Sequence, residues 1–161
     1  MRQSRLGFIH QQGFSPTQGR YAPYETMMFQ PRAILVLLAP GALIQNPWWF
    51  VALSAVLFWC ALVPAYNMFD AIYHVVADRQ GLARIGPAPA PRRFAQGLAA
   101  TIAIVIAAAL FSGADKTAWL FEGLLISATL SVVVLRFCVG SYIYHLLTQR
   151  FHDRFAGTAG H

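Results

Sequence analysis

The sequence predicts an all-α integral membrane protein: four transmembrane helices, both termini cytoplasmic, and one amphipathic helix lying at the cytoplasmic interface. Three observations predict it. The chain is 57% hydrophobic and 11% charged, against ~25% charged in ordinary soluble domains. In water such a chain would expose more apolar surface than a soluble fold tolerates. The apolar residues are gathered into blocks of membrane-crossing length, and the arginines fall in alternate connections between those blocks.

The first block, Ala33–Ile44, is short and carries Pro40-Gly41. Only Gln45-Asn46-Pro47 separates it from the second block, the composition of a tight helix–helix turn. It is therefore expected to be a short, kinked span over about 30–45, with Pro31 in its first turn. Trp48–Tyr66, Phe94–Ser112 and Ala118–Leu135 each hold 18 or 19 residues, close to the ~20 that cross the hydrocarbon core. They predict spans over 48–66, 94–112 and 118–136. Around them the chain divides into an arm over 1–32, a membrane domain over 33–147, and a helical extension with its tail over 137–161.

Charge sets the orientation. Ten arginines lie in the N-terminal arm, the connection between spans two and three, and the tail, whereas the two opposite connections hold only Lys116. Basic residues stay on the cytoplasmic side during insertion, so both termini are expected there. The sequence pI near 9.9 then needs no nucleic acid, because anionic lipid headgroups attract the same residues. Trp48, Trp49 and Trp119 are expected as anchors at the outer interface, and Arg136 as one that snorkels at the inner interface. Glu122 sits one turn inside span four, within expected reach of the headgroups. It lies fourteen positions from Arg136, ~21 Å along a helix, too far to pair with it.

The stretch "IGPAPAPRRFAQG" stiffens the chain before span three. Pro87, Pro89 and Pro91 favour an extended spacer over 86–91, and Arg92 and Arg93 are expected among the headgroups, pinning the entry of the span. Upstream, "NMFDAIYHVVADRQ" predicts an interfacial helix over 68–80, capped by Asn67 and stopped near Gly81. Met68, Phe69, Ile72, Val75 and Val76 share one face. Asp70, His74 and Asp78 share another. Those three are the only metal candidates, and ~11 Å between the outer two prevents one ion from using both. A solvated polar face is the expectation.

The short-loop hairpin around "NPWW", followed by a cytoplasmic stretch and "PAPRRFAQG" entering the third span, resembles a family of small bacterial four-helix membrane proteins of unknown function. The resemblance covers about Ala33 to Ser112, and Pro91, Arg93, Phe94, Ala95 and Gln96 carry it most sharply. It implies a fold, a topology and the bacterial cytoplasmic membrane. It implies no activity and no catalytic residues.

Beyond Arg136 the apolar stripe of Val139, Tyr142, Ile143, Leu146, Leu147, Phe151 and Phe155 predicts a continued helix that lies on lipid or docks on a partner. The arm scatters Phe8, Ile9, Phe14, Tyr21 and Tyr24 through a Gly-, Gln- and Pro-rich stretch. These residues, with Phe151 and Phe155, are the expected partner-binding anchors. Cys60 and Cys138 form no paired motif, and His10, His74, His145, His152 and His161 all fall outside the apolar centres. No phosphate-cradling glycine loop, nucleophile elbow or zinc-protease pattern occurs.

The expected function is that of a non-catalytic accessory subunit in a larger membrane assembly, with a respiratory or photosynthetic complex as the host. No resident cofactor is expected. Lipids and other membrane subunits are the expected partners, and any pigment or quinone contact would come through those subunits. The alternatives are a small oligomeric transporter or channel, and a redox helper or enzyme using His74 or the cysteines.

Overall fold

The computed structural model describes residues 4–14, 24–77 and 87–156. Within them every regular element is helical: α1 Arg5–Gln11, α2 Tyr24–Ile44, α3 Pro47–Leu62, a 3-10 turn Pro64–Tyr66, α4 Met68–Ala77, α5 Ala90–Phe111, α6 Asp115–Leu130 and α7 Val139–Ala156. A π-helical turn, Ser131–Leu135, prolongs α6. Among the described residues three helices are long and apolar enough to cross a membrane: Tyr24–Ile44, Ala90–Phe111 and Asp115–Leu135, of 21, 22 and 21 residues. At 1.5 Å per residue each covers ~30 Å. The apolar α3 has 16 residues and is shorter.

Several bounds differ from the sequence expectation, each for a local reason. Helix α2 starts at Tyr24, so Pro31 lies inside it rather than in its first turn. Helix α3 stops at Leu62 because the residue before a proline avoids helical backbone; Val63, before Pro64, leaves the helix at φ −118°, ψ 71°. At the next entry, Pro89 caps α5 and Pro91 lies in its first turn, where a missing amide costs nothing. The fourth apolar helix does not run on into α7. Arg136 turns left-handed (φ +57°), and its amide donates to Val132 O at 3.1 Å while that of Phe137 reaches Ser131 O at 3.3 Å.

The main core lies between α2, α3, α5 and α6. Leu38, Phe50, Leu57 and Ile106 are fully buried there beside the small residues Ala100, Ala103 and Ala107 of α5. Small side chains let backbones approach, which is how helices associate when lipid competes for every apolar face. Ser54 exploits this proximity, its Oγ donating to Ala100 O at 2.9 Å. The α2–α3 turn closes the same way. A Cβ on Gly41 would stand 2.8 Å from the Trp49 ring, and Trp49 Nε1 donates to Leu37 O at 2.9 Å. Trp49 is thus a packing residue, while Trp48 and Trp119 are exposed.

A second, smaller core joins α1 to the start of α2 and the α6–α7 break: Phe8, Ile9, Met27, Met28 and Cys138 are buried together, with Phe14 and Tyr24 against them. Both backbone groups of Cys138 are bracketed by one side chain. Its amide donates to Gln11 Oε1 at 3.0 Å, and its carbonyl accepts from Gln11 Nε2 at 3.1 Å. A helix interrupted near hydrocarbon depth is tolerated only where protein re-satisfies the freed groups. Gln11 does so.

Candidate functional site

The most organised polar group in the described residues sits where α2, α4 and α5 meet. Asn67 starts it. Its Oδ1 accepts from the amides of Phe69 and Asp70 at 3.0 and 3.4 Å, an N-cap that places Asp70 in the first turn of α4. Asp70 faces α5 and takes the Arg92 guanidinium with both oxygens, Nη2 to Oδ1 at 2.8 Å and Nη1 to Oδ2 at 3.2 Å. Their side chains are 13% and 6% exposed, a forked, charge-assisted pair nearly shut off from solvent. Arg92 Nη2 also donates to Gln30 Oε1 of α2 at 3.0 Å. The same oxygen accepts from Gln96 Nε2 at 2.9 Å, one helical turn along α5 from Arg92.

These contacts correct the expected roles of Arg92 and Asp70. Arg92 is not a headgroup anchor, since its charge is spent inside the bundle. Asp70 is not on a solvated face: α4 turns it inward with the buried Phe69, and exposes Met68, Ile72, Val75 and Val76. That inversion suits a helix whose outer side meets lipid. With both Asp70 oxygens engaged, the Asp70–His74 pairing for a metal loses its carboxylate. Asp78 lies outside the described residues, and among the described residues no three His, Cys, Asp or Glu side chains gather as metal donors. Arg93 is exposed, yet its Nε donates to Ala61 O at 2.7 Å, capping a carbonyl that the end of α3 leaves free.

The expected partner anchors are distributed as follows. Phe8 and Ile9 are 1% and 8% exposed, so their apolar surface is used within the chain. Two guanidinium groups approach the Tyr24 ring, Arg5 at 5.1 Å and Arg136 at 5.3 Å from its centre, cation–π contacts that hold α1 and the helix break to α2. Arg136, expected as an interfacial anchor, is half-buried and packs against Tyr24. Tyr21 and the side chains of Phe151 and Phe155 lie outside the described residues.

At the other end of the bundle Glu122 is 1% exposed, not at the headgroups. Gln45 covers it, Nε2 donating to both carboxylate oxygens at 3.0 and 3.1 Å from a left-handed backbone (φ +51°) in the α2–α3 turn. Cys60 and Cys138 are both free and buried.

Beside the Arg92 cluster a cavity of about 360 Å³ opens between α2, α5, α6 and α7, with Phe8 of α1 among its lining residues. Gln30, Arg92 and Gln96 stand in its wall, and the rest is mostly apolar: Ile34, Ile102, Leu125 and Val139, for example. Its volume falls within the ~300–1,000 Å³ of small-molecule sites. The tight seating of α7 shapes this space. A Cβ on Gly140 would stand 2.8 Å from the Ala95 backbone, and Ser141 Oγ donates to Pro91 O at 3.3 Å.

Gln30 is a site residue that the sequence reading did not single out, and Gln96 was singled out there only for the family resemblance. Their signal was present: a polar side chain on an apolar helix needs an internal partner, and Arg92 and Gln96 are spaced to share a helix face. Nothing in the spacing named Gln30 or Asp70 as the partners.

No curated protein and no solved structure matches this chain. Residues 26–149, which contain the Asp70–Arg92 ion pair, Gln30, Gln96 and all of the helical bundle except α1 and the outer ends of α2 and α7, match a described domain, and by that match the chain belongs to the family termed domain of unknown function DUF4395.

Proposed function

We propose that the chain is a four-span protein of the bacterial cytoplasmic membrane, with both termini on the cytoplasmic side, that serves as a non-catalytic accessory subunit of a larger membrane assembly. The observation that carries the subunit reading is α7. This helix follows the break after the third long apolar helix and exposes Tyr142, Leu146 and Leu147 on a segment also rich in exposed polar residues. A stripe of that kind is unfavourable against water and suits a protein partner. The charged groups Asp70 and Arg92 of the bundle, by contrast, are engaged with one another, as a structural role requires.

The fourth span is α3. It packs more extensively than any other helix against the long α5, its 16 residues reach ~24 Å, and the following turn lengthens that reach. Orientation rests on charge. Arg32, Arg92, Arg93 and Arg136 collect at the end of the bundle that holds the Asp70 cluster and the α6–α7 break, with Lys116 at the opposite end, as the positive-inside bias requires.

Photocrosslinking from native membranes tests the subunit reading. A photoreactive residue at Tyr142 or Leu146 is expected to capture one defined membrane polypeptide, and the same residue at Val75 on α4 only lipid. Adducts to lipid alone at all three positions would overturn the proposal and favour the transporter alternative.

A further inference from the structure

The Arg92 cluster leaves two buried polar atoms without partners, Asn67 Nδ2 and Gln96 Oε1; the second belongs to a residue of the cavity wall, and it determines what the cavity accepts. Asp70 holds Arg92, so Arg92 can only donate to Gln30. Gln30 must therefore present its amide oxygen, at 3.0 Å from Arg92 Nη2, and that oxygen also takes Gln96 Nε2 at 2.9 Å. The direction of the Gln96 amide follows: turning it over would set two oxygens against each other. Gln96 is 5% exposed, forms part of the cavity wall, and its Oε1 accepts no hydrogen bond. An acceptor left unmade at such depth is costly, and the group that satisfies it must bring an O–H or N–H.

We propose that the cavity binds a neutral, hydroxyl-headed lipid from the bilayer, its hydroxyl donating to Gln96 Oε1 and its tail leaving past Leu124 and Val139. The head is neutral because, among the described residues, Arg92 is the sole charged one lining the cavity and its charge is already matched by Asp70. An anion would have to displace a carboxylate held by two hydrogen bonds. The tail leaves because 360 Å³ holds roughly a dozen non-hydrogen atoms at ~30 Å³ each, a head and part of one chain. The exit is set by Leu124 and Val139, which line the cavity and are also 51% and 38% exposed, on α6 and at the start of α7. The occupant comes from the membrane because the walls are apolar and the exit passes a helix long enough to span it.

The test uses the full chain in phosphatidylcholine nanodiscs with a diazirine-bearing hexadecanol, its methyl ether and the corresponding fatty acid as probes. Peptide mapping is expected to place the alcohol on the segment between Leu124 and Val139, about 10-fold above the ether, the scale of one buried hydrogen bond. Gln96→Leu should remove that preference, and Ala128→Phe, which fills the cavity and leaves Gln96 in place, should suppress labelling by every probe. Equal labelling by alcohol and ether in the unmodified chain would overturn the proposal whether or not the variants fold. So would a preference for the fatty acid, or an alcohol preference that survives Gln96→Leu.

Discussion

Arg92 shows at the scale of one residue how a charge can belong to the interior. Its guanidinium has three hydrogen bonds to side chains, two of them to one carboxylate. Removing one member of a buried pair leaves the other uncompensated, which costs ~3–5 kcal/mol, whereas replacing both by apolar groups is often neutral. Asp70→Ala and Arg92→Ala are each expected to lower the unfolding free energy in detergent by that order, and Asp70→Leu with Arg92→Met to recover most of the loss. Equal destabilisation by the single and double changes would mean that the cluster stabilises through packing alone. Arg93 provides the contrast. It is exposed and meets a single carbonyl, so Arg93→Ala should cost no more than ~1–2 kcal/mol, the scale of one charge-assisted hydrogen bond.

At the scale of elements, the break between α6 and α7 and the short α1 depend on each other. Gln11 satisfies both backbone groups of Cys138, so Gln11→Ala leaves a buried donor and acceptor without partners, at ~1–3 kcal/mol each. Hydrogen exchange of the Cys138 amide should accelerate by an order of magnitude or more while α3 and α5 stay protected. Unchanged exchange would mean that water already reaches the break. Two glycines separate packing from helix propensity. A Cβ at Gly97 meets nothing within 4 Å, so Gly97→Ala in the middle of α5 should stabilise by ~0.5–1 kcal/mol. Gly140→Ala sets a Cβ 2.8 Å from the Ala95 backbone and should destabilise, with α7 displaced from α5.

For the whole molecule, the N-terminal segment is an internal strut. Phe8 and Ile9 fill the second core with Met27, Met28 and Cys138. Removing residues 1–14 is therefore expected to lower the unfolding midpoint, and to expose the buried cavity wall at Met27, rather than leave the bundle untouched. Topology is tested with single cysteines at the exposed Ser4, Lys116 and Gln149, in a background where the buried Cys60 and Cys138 do not react. Labelling from outside the cell is expected at Lys116 alone, and external labelling at Ser4 would sink the proposed orientation.

The sequence by itself determined an all-helical chain with apolar segments of membrane length, because an 18-residue apolar run has few other places to go and because Pro, Gly and Asn mark turns locally. Asn67 as the start of α4 and the tight turn at Gln45-Asn46-Pro47 are local events, and they were legible. Tertiary structure alone decided which polar groups meet. Asp70 and Arg92 stand 22 positions apart, Gln30 and Gln96 stand 66 apart, and Gln11 and Cys138 stand 127 apart; no local spacing relates them. Read alone, Asp70 and Arg92 each point to water, since an isolated charge is cheapest there. Brought together by the packing of α2, α4 and α5, they neutralise one another, and the lowest free energy lies inside. The same folding that pairs them leaves Gln96 Oε1 without a partner beside an apolar cavity, a feature that exists only once four distant segments share one end of the bundle.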